Sequence, residues 1–475
     1  MPPTRPHPQA GHPPATPTPP HPAPAGAAPY ADSAPAPAGA VSYADPAPAP
    51  GRVVSYADSA PAPAGAGEYA ARLEVLLGDP RDPRNPYGRA ALGAAGPGVL
   101  PVPPAFLPGI GDLPDAGQLA RALRPLFRRD LALAHAWSIR PLLTAEVPHP
   151  AAVLLGPAAL LAGAGTVLLA AARIVEGLSR HQAAARQWRP VLATVFADLL
   201  ACESLTATAL RSCPPPPRRP GQDAELLAAV TGYLVPQLAL ELLGDLELVL
   251  NECGFGPRTV ERRTLARLVR DRAFAGADPA ATAAAQARIV RGLGTAAAEE
   301  PDPGTGLAAL FHDTGTALVT AAAPDTSTST DAGTGTGSGG DVLRDAAAPG
   351  ADDTGSDALV RLGRRLAAER RALRTACAAV VVYDPADPAA RALADRRALL
   401  VLAAGTTAVQ EAAASARLPF LGDTGWTRAV LARITVRLGL PLPTAPADPL
   451  PGLWQELARR AADGVDCDLH ATRPA

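Results

Sequence analysis

Residues 150–180 read PAAVLLGPAALLAGAGTVLLAAARIVEGLSR, and this stretch decides the fold. It has no charged residue between Pro150 and Ala172, which is long enough for a membrane-spanning helix. The run is mainly alanine, glycine and leucine, however, and it continues into Arg173 and Glu176 without a boundary. We therefore predict a buried central helix of a soluble bundle, with a membrane span as the alternative.

The regions on the carboxy-terminal side of this stretch show the same helical spacing of apolar residues. Within 224–250, for example, Leu226, Val230, Leu234 and Leu238 recur every four residues. Further helices are predicted at Trp188–Arg211, Ala224–Leu250, Val260–Asp271, Thr282–Leu293, Ser356–Val382 and Ala389–Ala414. Aromatic residues make up only 4% of the chain and no convincing strand block occurs. The predicted fold class is therefore all-α.

Composition divides the chain into five parts. Residues 1–67 are a Pro/Ala-rich tail in which a Tyr-Ala-Asp unit recurs every 13 residues. We predict that this tail is disordered, because such a sequence cannot bury a core. The other parts are an N-terminal helical segment (68–150), a helical bundle (151–322), a flexible linker (323–355) and a C-terminal helical domain (356–475).

The charge balance and the cysteines exclude several kinds of function. The formal net charge is -2, which does not favour nucleic acid as a partner. The five cysteines are widely spaced and form no CxxC pair, so neither a disulfide framework nor a zinc site is expected. No metal site is predicted, because the histidines lack metal-ligand spacing. With no secretory signal at the start, these features predict a cytoplasmic protein without a membrane partner.

Four short motifs follow one another along the bundle. The first is an Ala/Gly-rich helix that ends in basic residues, Leu160–Arg180, and the second is a helical segment with Ala-Asp, Phe196–Leu200. The third is a Gly-x-Gly turn, Cys253–Gly256, and the fourth is a segment with Arg-Asp, Leu268–Asp271. Their order and spacing resemble the acyl-CoA dehydrogenase and oxidase family. The segment Leu77–Gly88 is similar to an actinobacterial branch of that family with an extra helical tail. The resemblance covers residues 68–293, and more weakly 356–475.

This resemblance implies an acyl-CoA ligand, FAD as the cofactor, and homo- or hetero-oligomers formed through an acyl-CoA dehydrogenase-like helical bundle. Asp278 stands near the place of the family's catalytic base, which abstracts the proton next to the thioester carbonyl while the flavin takes a hydride. The alternative interpretation of Asp278 is structural, because Asp-Pro commonly opens a turn.

Flavin binding is assigned, by the same resemblance, to residues at two helix ends. Arg180 and Gln182 match residues that bind the flavin pyrophosphate of a neighbouring subunit. The turn near the adenine half of the cofactor is matched by Gly254, Phe255 and Gly256. The alternatives are a solvated helix end favoured by the helix dipole for Arg180 and a simple helix stop for the glycine turn.

The chain departs from the family pattern between its two helical regions. Family members carry a central β-domain there, which supplies much of the contact to the flavin ring and acyl-CoA. Here the N-terminal helices stop near Glu146 and the bundle begins near Ala151, so that 68–150 is a remnant of the family's first domain. We expect a degenerate acyl-CoA dehydrogenase-like protein with impaired flavin binding. The alternative is a non-catalytic structural or heteromer subunit that pairs with a full-length homologue.

Overall fold

The computed structural model describes residues 65–94, 113, 115–146, 148–214, 220–294, 353–379, 384–443 and 448–473. Within these ranges 78% of the residues are helical and none lies in a strand. The prediction of an all-α fold is therefore confirmed. The predicted tail and linker lie outside the described residues, apart from the few residues at their carboxy-terminal ends that belong to helices.

The described helices begin and end as follows. They are α1 Ala66–Leu77, α2 Arg89–Ala94, α3 Ala116–Arg129, α4 Leu131–Ala134, α5 Arg140–Thr144, α6 Ala152–Ser179, α7 Trp188–Ser212, α8 Gln222–Glu252, α9 Val260–Asp271, α10 Pro279–Arg291, α11 Asp353–Ala378, α12 Pro388–Ser415, α13 Thr424–Arg437 and α14 Leu450–Asp463. A π-helical turn, His135–Ile139, joins α4 to α5, and short 3-10 turns at Ala183–Gln187 and Arg272–Ala275 precede α7 and follow α9.

The segment between α1 and α2 is a tight turn built around the side chain of Asn85. Its Nδ2 donates to the carbonyl oxygens of Leu77 (2.7 Å) and Asp79 (2.8 Å). At Gly88 an added Cβ atom would lie 2.7 Å from the carbonyl oxygen of Asp82, so a larger residue would displace the backbone. The turn thereby fixes where α2 begins relative to α1.

The spacing of apolar residues over 116–136 predicts a helix that is kinked or split at Pro125. In the structure Pro125 lies inside α3, and the helix is interrupted at Asp130. Asp130 instead adopts an extended conformation, and its Oδ1 accepts a hydrogen bond from the N–H of Leu133 at 2.9 Å. A proline removes one backbone donor, whereas an aspartate can end one helix and cap the next.

The bundle is centred on α6 and α7, which pack against each other and against α8. Small residues on α6 mark the places where its neighbours come closest. A Cβ atom at Gly156 would lie 2.7 Å from the carbonyl oxygen of Ala275, and one at Gly163 would lie 2.9 Å from a methyl carbon of Leu268. The glycines of α6 therefore allow α9 and the 3-10 turn after it to pack directly on its backbone.

The helices after residue 353 pack against this bundle. α12 contacts α7 and α10, and α14 contacts α6 and α7. Helix α13 is held to α7 by the buried carboxylate of Asp198, which accepts hydrogen bonds from Arg433 (2.7 Å) and Arg437 (3.1 Å). Helices on both sides of the predicted linker share one hydrophobic core. The domain boundaries themselves stay predictions.

Among the described residues, four helical segments are long and apolar enough to cross a membrane. They are α6, α8, α12 and Ala183–Ser212, which contains α7. Between 67% and 83% of the most apolar window of each is buried inside the protein. The apolar surface of these helices is thus mostly covered by other helices.

Candidate functional site

Asp278 is the N-cap residue of α10. Its Oδ1 accepts hydrogen bonds from the backbone N–H groups of Ala280 and Ala281, both at 3.0 Å. Pro279 follows at the first helical position, where the missing N–H leaves no bond unmade. The geometry gives Asp278 a structural role, because it satisfies two of the free amides at the start of α10.

A groove of about 520 Å³ lies beside Asp278, between α8, α9 and the turn before α10. Three arginines line it: Arg262, Arg270 and Arg272. Arg262 pairs with Glu247 and Arg270 pairs with Asp271, each at 2.8 Å. Oδ2 of Asp278 makes no hydrogen bond within the described part of the chain. It is therefore the atom of this carboxylate that is free to meet a ligand in the groove.

We expect Asp278→Ala to lower the free energy of unfolding by about 1 kcal/mol, because alanine cannot accept the two amide hydrogen bonds. Asp278→Asn keeps an acceptor oxygen and is expected to differ from the parent by only about a few tenths of a kcal/mol. Urea unfolding followed by circular dichroism measures both values. Equal stability of all three proteins would contradict the capping role.

Arg180 and Gln182 lie at the C-terminal end of α6, where both side chains are exposed. The backbone N–H of Gln182 donates to the carbonyl oxygen of Leu178 at 2.8 Å. Neither side chain makes a hydrogen bond or ion pair with the described residues. Both are therefore accessible to a ligand or to a second chain.

Asp278 and Arg180 lie towards opposite ends of α6. Asp278 follows closely after Ala275, which packs on Gly156 near the start of α6. Arg180 comes 24 positions after Gly156, which corresponds to about 36 Å along an α-helix. One copy of the chain therefore does not bring Arg180 and Asp278 into the same site.

The turn formed by Gly254, Phe255 and Gly256 ends α8. Gly254 has a φ of 80°, and its N–H donates to the carbonyl oxygen of Asn251 at 3.0 Å. The N–H of Phe255 donates to the carbonyl oxygen of Leu250 at 2.9 Å, and its ring packs against the hydrophobic core. This is the Schellman pattern of a helix C-terminus, so the turn has a structural explanation that needs no ligand.

A second feature was not predicted from the sequence: a cleft lined by six arginines, here called the arginine cleft. Its members are Arg81, Arg89, Arg128, Arg129, Arg263 and Arg267. They come from the turn after α1, from α2, from the end of α3 and from α9. The cavity between them is about 380 Å³, and it adjoins a second cavity of about 650 Å³ with which it shares four of the arginines. Among the described residues, Asp130 and Asp271 are the carboxylates that line the 380 Å³ cavity. The second cavity is lined by the carboxylates of Glu74, Asp79, Glu261 and Asp466.

Half of these arginines have partners within the fold. Arg128 pairs with Glu74, Arg267 pairs with Asp130, and Arg129 donates to two backbone carbonyl oxygens. The side chains of the other three make no hydrogen bond or ion pair with the described residues: Arg81, Arg89 and Arg263. Sequence analysis missed the cleft because its members are separated by up to 186 positions. The one local signal is the rigid turn that carries Arg81 and leads into Arg89.

A third feature, the Arg124 cluster, is buried between α3, α7 and the segment after α14. Arg124 donates from Nε to Asp466 at 2.7 Å and from Nη2 to Glu203 at 2.9 Å, and its Nε lies 3.5 Å from Asp468. All four side chains are less than one-tenth exposed. Burial raises the pKa of Glu203 to about 7, because desolvation outweighs the attraction of Arg124, and the two aspartates add to the rise.

No protein-family model, curated protein or solved structure matches this chain. Within the described ranges, no three His, Cys, Asp or Glu side chains come together in a way that could hold a metal ion. The geometry of the described residues is thus the basis on which function can be inferred.

Proposed function

We propose that the protein is a degenerate acyl-CoA dehydrogenase-like protein that acts as a non-catalytic subunit and is impaired in flavin binding. The observation that carries this proposal is the use of the Asp278 carboxylate as the N-cap of α10, where its Oδ1 accepts two backbone amide hydrogen bonds. Arg180 and Gln182, which match residues that bind the flavin of a neighbouring subunit, lie towards the other end of α6.

The chemistry of the family requires a base and a flavin to act on one substrate. A base removes a proton from the carbon next to the thioester carbonyl, and the flavin, when bound, accepts a hydride from the next carbon. A base must come within hydrogen-bonding reach of the proton that it abstracts. The Asp278 carboxylate already gives one oxygen to two backbone amides.

The residues of a single copy therefore do not fit FAD and an acyl thioester together. Arg180 and Gln182 suit a pyrophosphate, since both are exposed and have no partner among the described residues. The flavin ring, however, needs a surface that excludes water, and family members build much of it from strands. No strand occurs among the residues that the structure describes.

A second candidate function is a flavin site shared between two chains, in this protein or in a heteromer with a full-length homologue. The free side chains of Arg180 and Gln182 favour it, because they are placed to reach outward from the end of α6. In that case this chain would contribute the pyrophosphate contacts and a partner would contribute the base.

We also propose that the protein is soluble and cytoplasmic. In support, four of the five cysteines are buried and all five are free thiols, which suits a reducing compartment. Of the most apolar window of each of the four apolar helices, 67% to 83% is buried inside the protein. Recovery of the chain in a membrane pellet that resists high salt would contradict this proposal.

FAD titration of the purified full-length chain tests the function, with visible absorbance and gel filtration as readouts. We expect a colourless protein that takes up no FAD and does not reduce it when an acyl-CoA is added. Stoichiometric flavin that is bleached by an acyl-CoA would overturn the non-catalytic proposal.

The shared-site candidate makes a different prediction in the same experiment. If the flavin site is shared between chains, FAD binds only to an oligomer, and the variant Arg180→Ala no longer binds FAD. Arg186→Ala is the matched control, because Arg186 is also exposed in the same region and makes no ion pair with the described residues. Equal FAD uptake by both variants would exclude a role for Arg180.

A further inference from the structure

The arginine cleft holds more positive charge than the fold itself neutralises. Six arginines and two aspartates line the inner cavity. Both aspartates interact with Arg267, which lies 2.5 Å from Asp130 and 3.5 Å from Asp271. The side chains of Arg128 and Arg129 have hydrogen-bond or ion-pair partners at the edge of the cavity. Those of Arg81, Arg89 and Arg263 have none among the described residues. A net positive charge therefore remains around the cavity.

Arg89 shows the cost of this arrangement. Its side chain is half-buried at the start of α2, and its pKa is lowered because burial and the repulsion of Arg81 and Arg173 outweigh the attraction of Glu261 and Asp79. Partly buried arginines are usually paired with a carboxylate or with carbonyl oxygens, as Arg129 is here. An anion from outside the chain would supply what Arg89 lacks.

The side chain of Arg267 is a second, independent indication that the cleft binds an anion. Its Nη1 is buried and makes no hydrogen bond, although its Nη2 donates to Asp130 at 3.2 Å. Buried donors without a partner are uncommon, because each one loses its hydration without compensation. Arg267 lines the same cavity as Arg89 and Arg263, so one ligand there can satisfy all three.

The local structure holds these arginines in place before any ligand binds. Asn85 fixes the turn that carries Arg81, and the N–H of Arg89 donates to the carbonyl oxygen of Pro80 at 2.9 Å. Arg263 and Arg267 lie one turn apart on α9, so their side chains share a face. Guanidinium groups converging from separate elements match the several oxygens of a phosphate group.

We propose that the arginine cleft is a binding site for a diphosphate group, supplied either by free pyrophosphate or by a nucleoside diphosphate. A cavity of about 380 Å³ accommodates a ligand of this size. The adjoining cavity of about 650 Å³ provides room for a nucleoside attached to the diphosphate. This site is separate from the flavin residues Arg180 and Gln182 and does not depend on the proposed function.

Isothermal titration of the full-length chain with inorganic pyrophosphate, in buffer of low ionic strength, tests the proposal. We expect saturable one-to-one binding that weakens as salt is added. The double variant Arg89→Ala/Arg263→Ala removes two unpaired arginines of the cleft and is expected to bind at least about tenfold more weakly. Circular dichroism and thermal unfolding establish that the variant is folded.

Arg361→Ala/Arg364→Ala is the matched control, because both are exposed arginines of α11 whose side chains make no hydrogen bond or ion pair with the described residues. It changes the net charge by two, as the test variant does, but leaves the cleft intact, and its affinity is expected to equal that of the parent. If the test variant binds pyrophosphate as tightly as the parent does, or if the parent binds neither pyrophosphate nor ADP, the proposal is overturned. Tighter binding of ADP than of pyrophosphate identifies a nucleotide as the source of the diphosphate, and equal binding identifies the free anion.

Discussion

Replacing Arg124 by methionine is expected to lower the free energy of unfolding by about 3 to 5 kcal/mol. The guanidinium is buried and bonded to Glu203 and Asp466, with Asp468 close by. Methionine keeps much of the side-chain volume but leaves three buried carboxylates without this positive charge. The cost of an uncompensated buried charge exceeds the contribution of an exposed ion pair several-fold. Urea unfolding of parent and variant measures the difference.

The pH dependence of this loss separates electrostatics from packing. Without Arg124 the pKa of Glu203 rises further in the folded state, so the folded variant binds more protons than the unfolded chain does. Stability then falls as pH rises. Because the pKa of Glu203 in the parent is about 7, the parent's carboxyl ionises above that pH while the variant's stays protonated, so the deficit of the variant is expected to grow as pH rises above about 7.

Arg364→Met makes the same change at an exposed position and is expected to alter the free energy of unfolding by no more than about 0.5 kcal/mol. A loss in Arg124→Met that is equally small, or that does not change with pH, would show that the cluster is neutralised in some other way.

Phe196→Ala is expected to cost about 3 to 5 kcal/mol of unfolding free energy. Phe196 is completely buried in α7, and its ring stacks on Phe420 with centroids 5.9 Å apart. The guanidinium of Arg460 lies 5.3 Å from the ring of Phe196, and the side chain of Arg460 is itself only 2% exposed. Truncation would leave a cavity and would remove an aromatic face from a buried cation.

Phe196→Leu separates these two effects, because leucine fills much of the cavity but has no π system. The free energy of unfolding of Phe196→Leu is expected to lie between that of the parent and that of Phe196→Ala. Thermal or urea unfolding ranks the three proteins. Leucine and alanine variants of equal stability would mean that cavity volume is not the source of the loss. A leucine variant as stable as the parent would remove the interaction with Arg460 from the explanation.

Helices whose signal is local could be located from the sequence with good accuracy. The helix expected at Trp188–Arg211 is observed at Trp188–Ser212, and Val260–Asp271 has the expected ends. In both, the spacing of apolar residues reflects the face that packs on the core. The cap at Asp278 is equally local, since Asp-Pro is a common helix start, and the structural interpretation of this residue needed no tertiary information.

Features that depend on distant residues could not be found in this way. Nothing near Arg124 in the chain indicates that its partners are Glu203, Asp466 and Asp468, since only folding brings them together. The arginine cleft is similar, because Arg81, Arg129 and Arg267 lie on separate elements. The resemblance to acyl-CoA dehydrogenases led instead to short, contiguous motifs, and the site residues proposed from them lie at the ends of α6 and α8 and at the start of α10.

The ion pair between Arg124 and Asp466 joins residues 342 positions apart. Ribosomes add about 5 to 20 residues per second, so Asp466 is synthesised on the order of 17 to 70 s after Arg124. For that time α3 is present in a nascent chain in which Arg124 can pair with Glu203 but not with Asp466 or Asp468. The bundle therefore reaches its final packing only after α14 and the segment that follows it have left the ribosome, and a chain stalled before that point would carry a half-finished core.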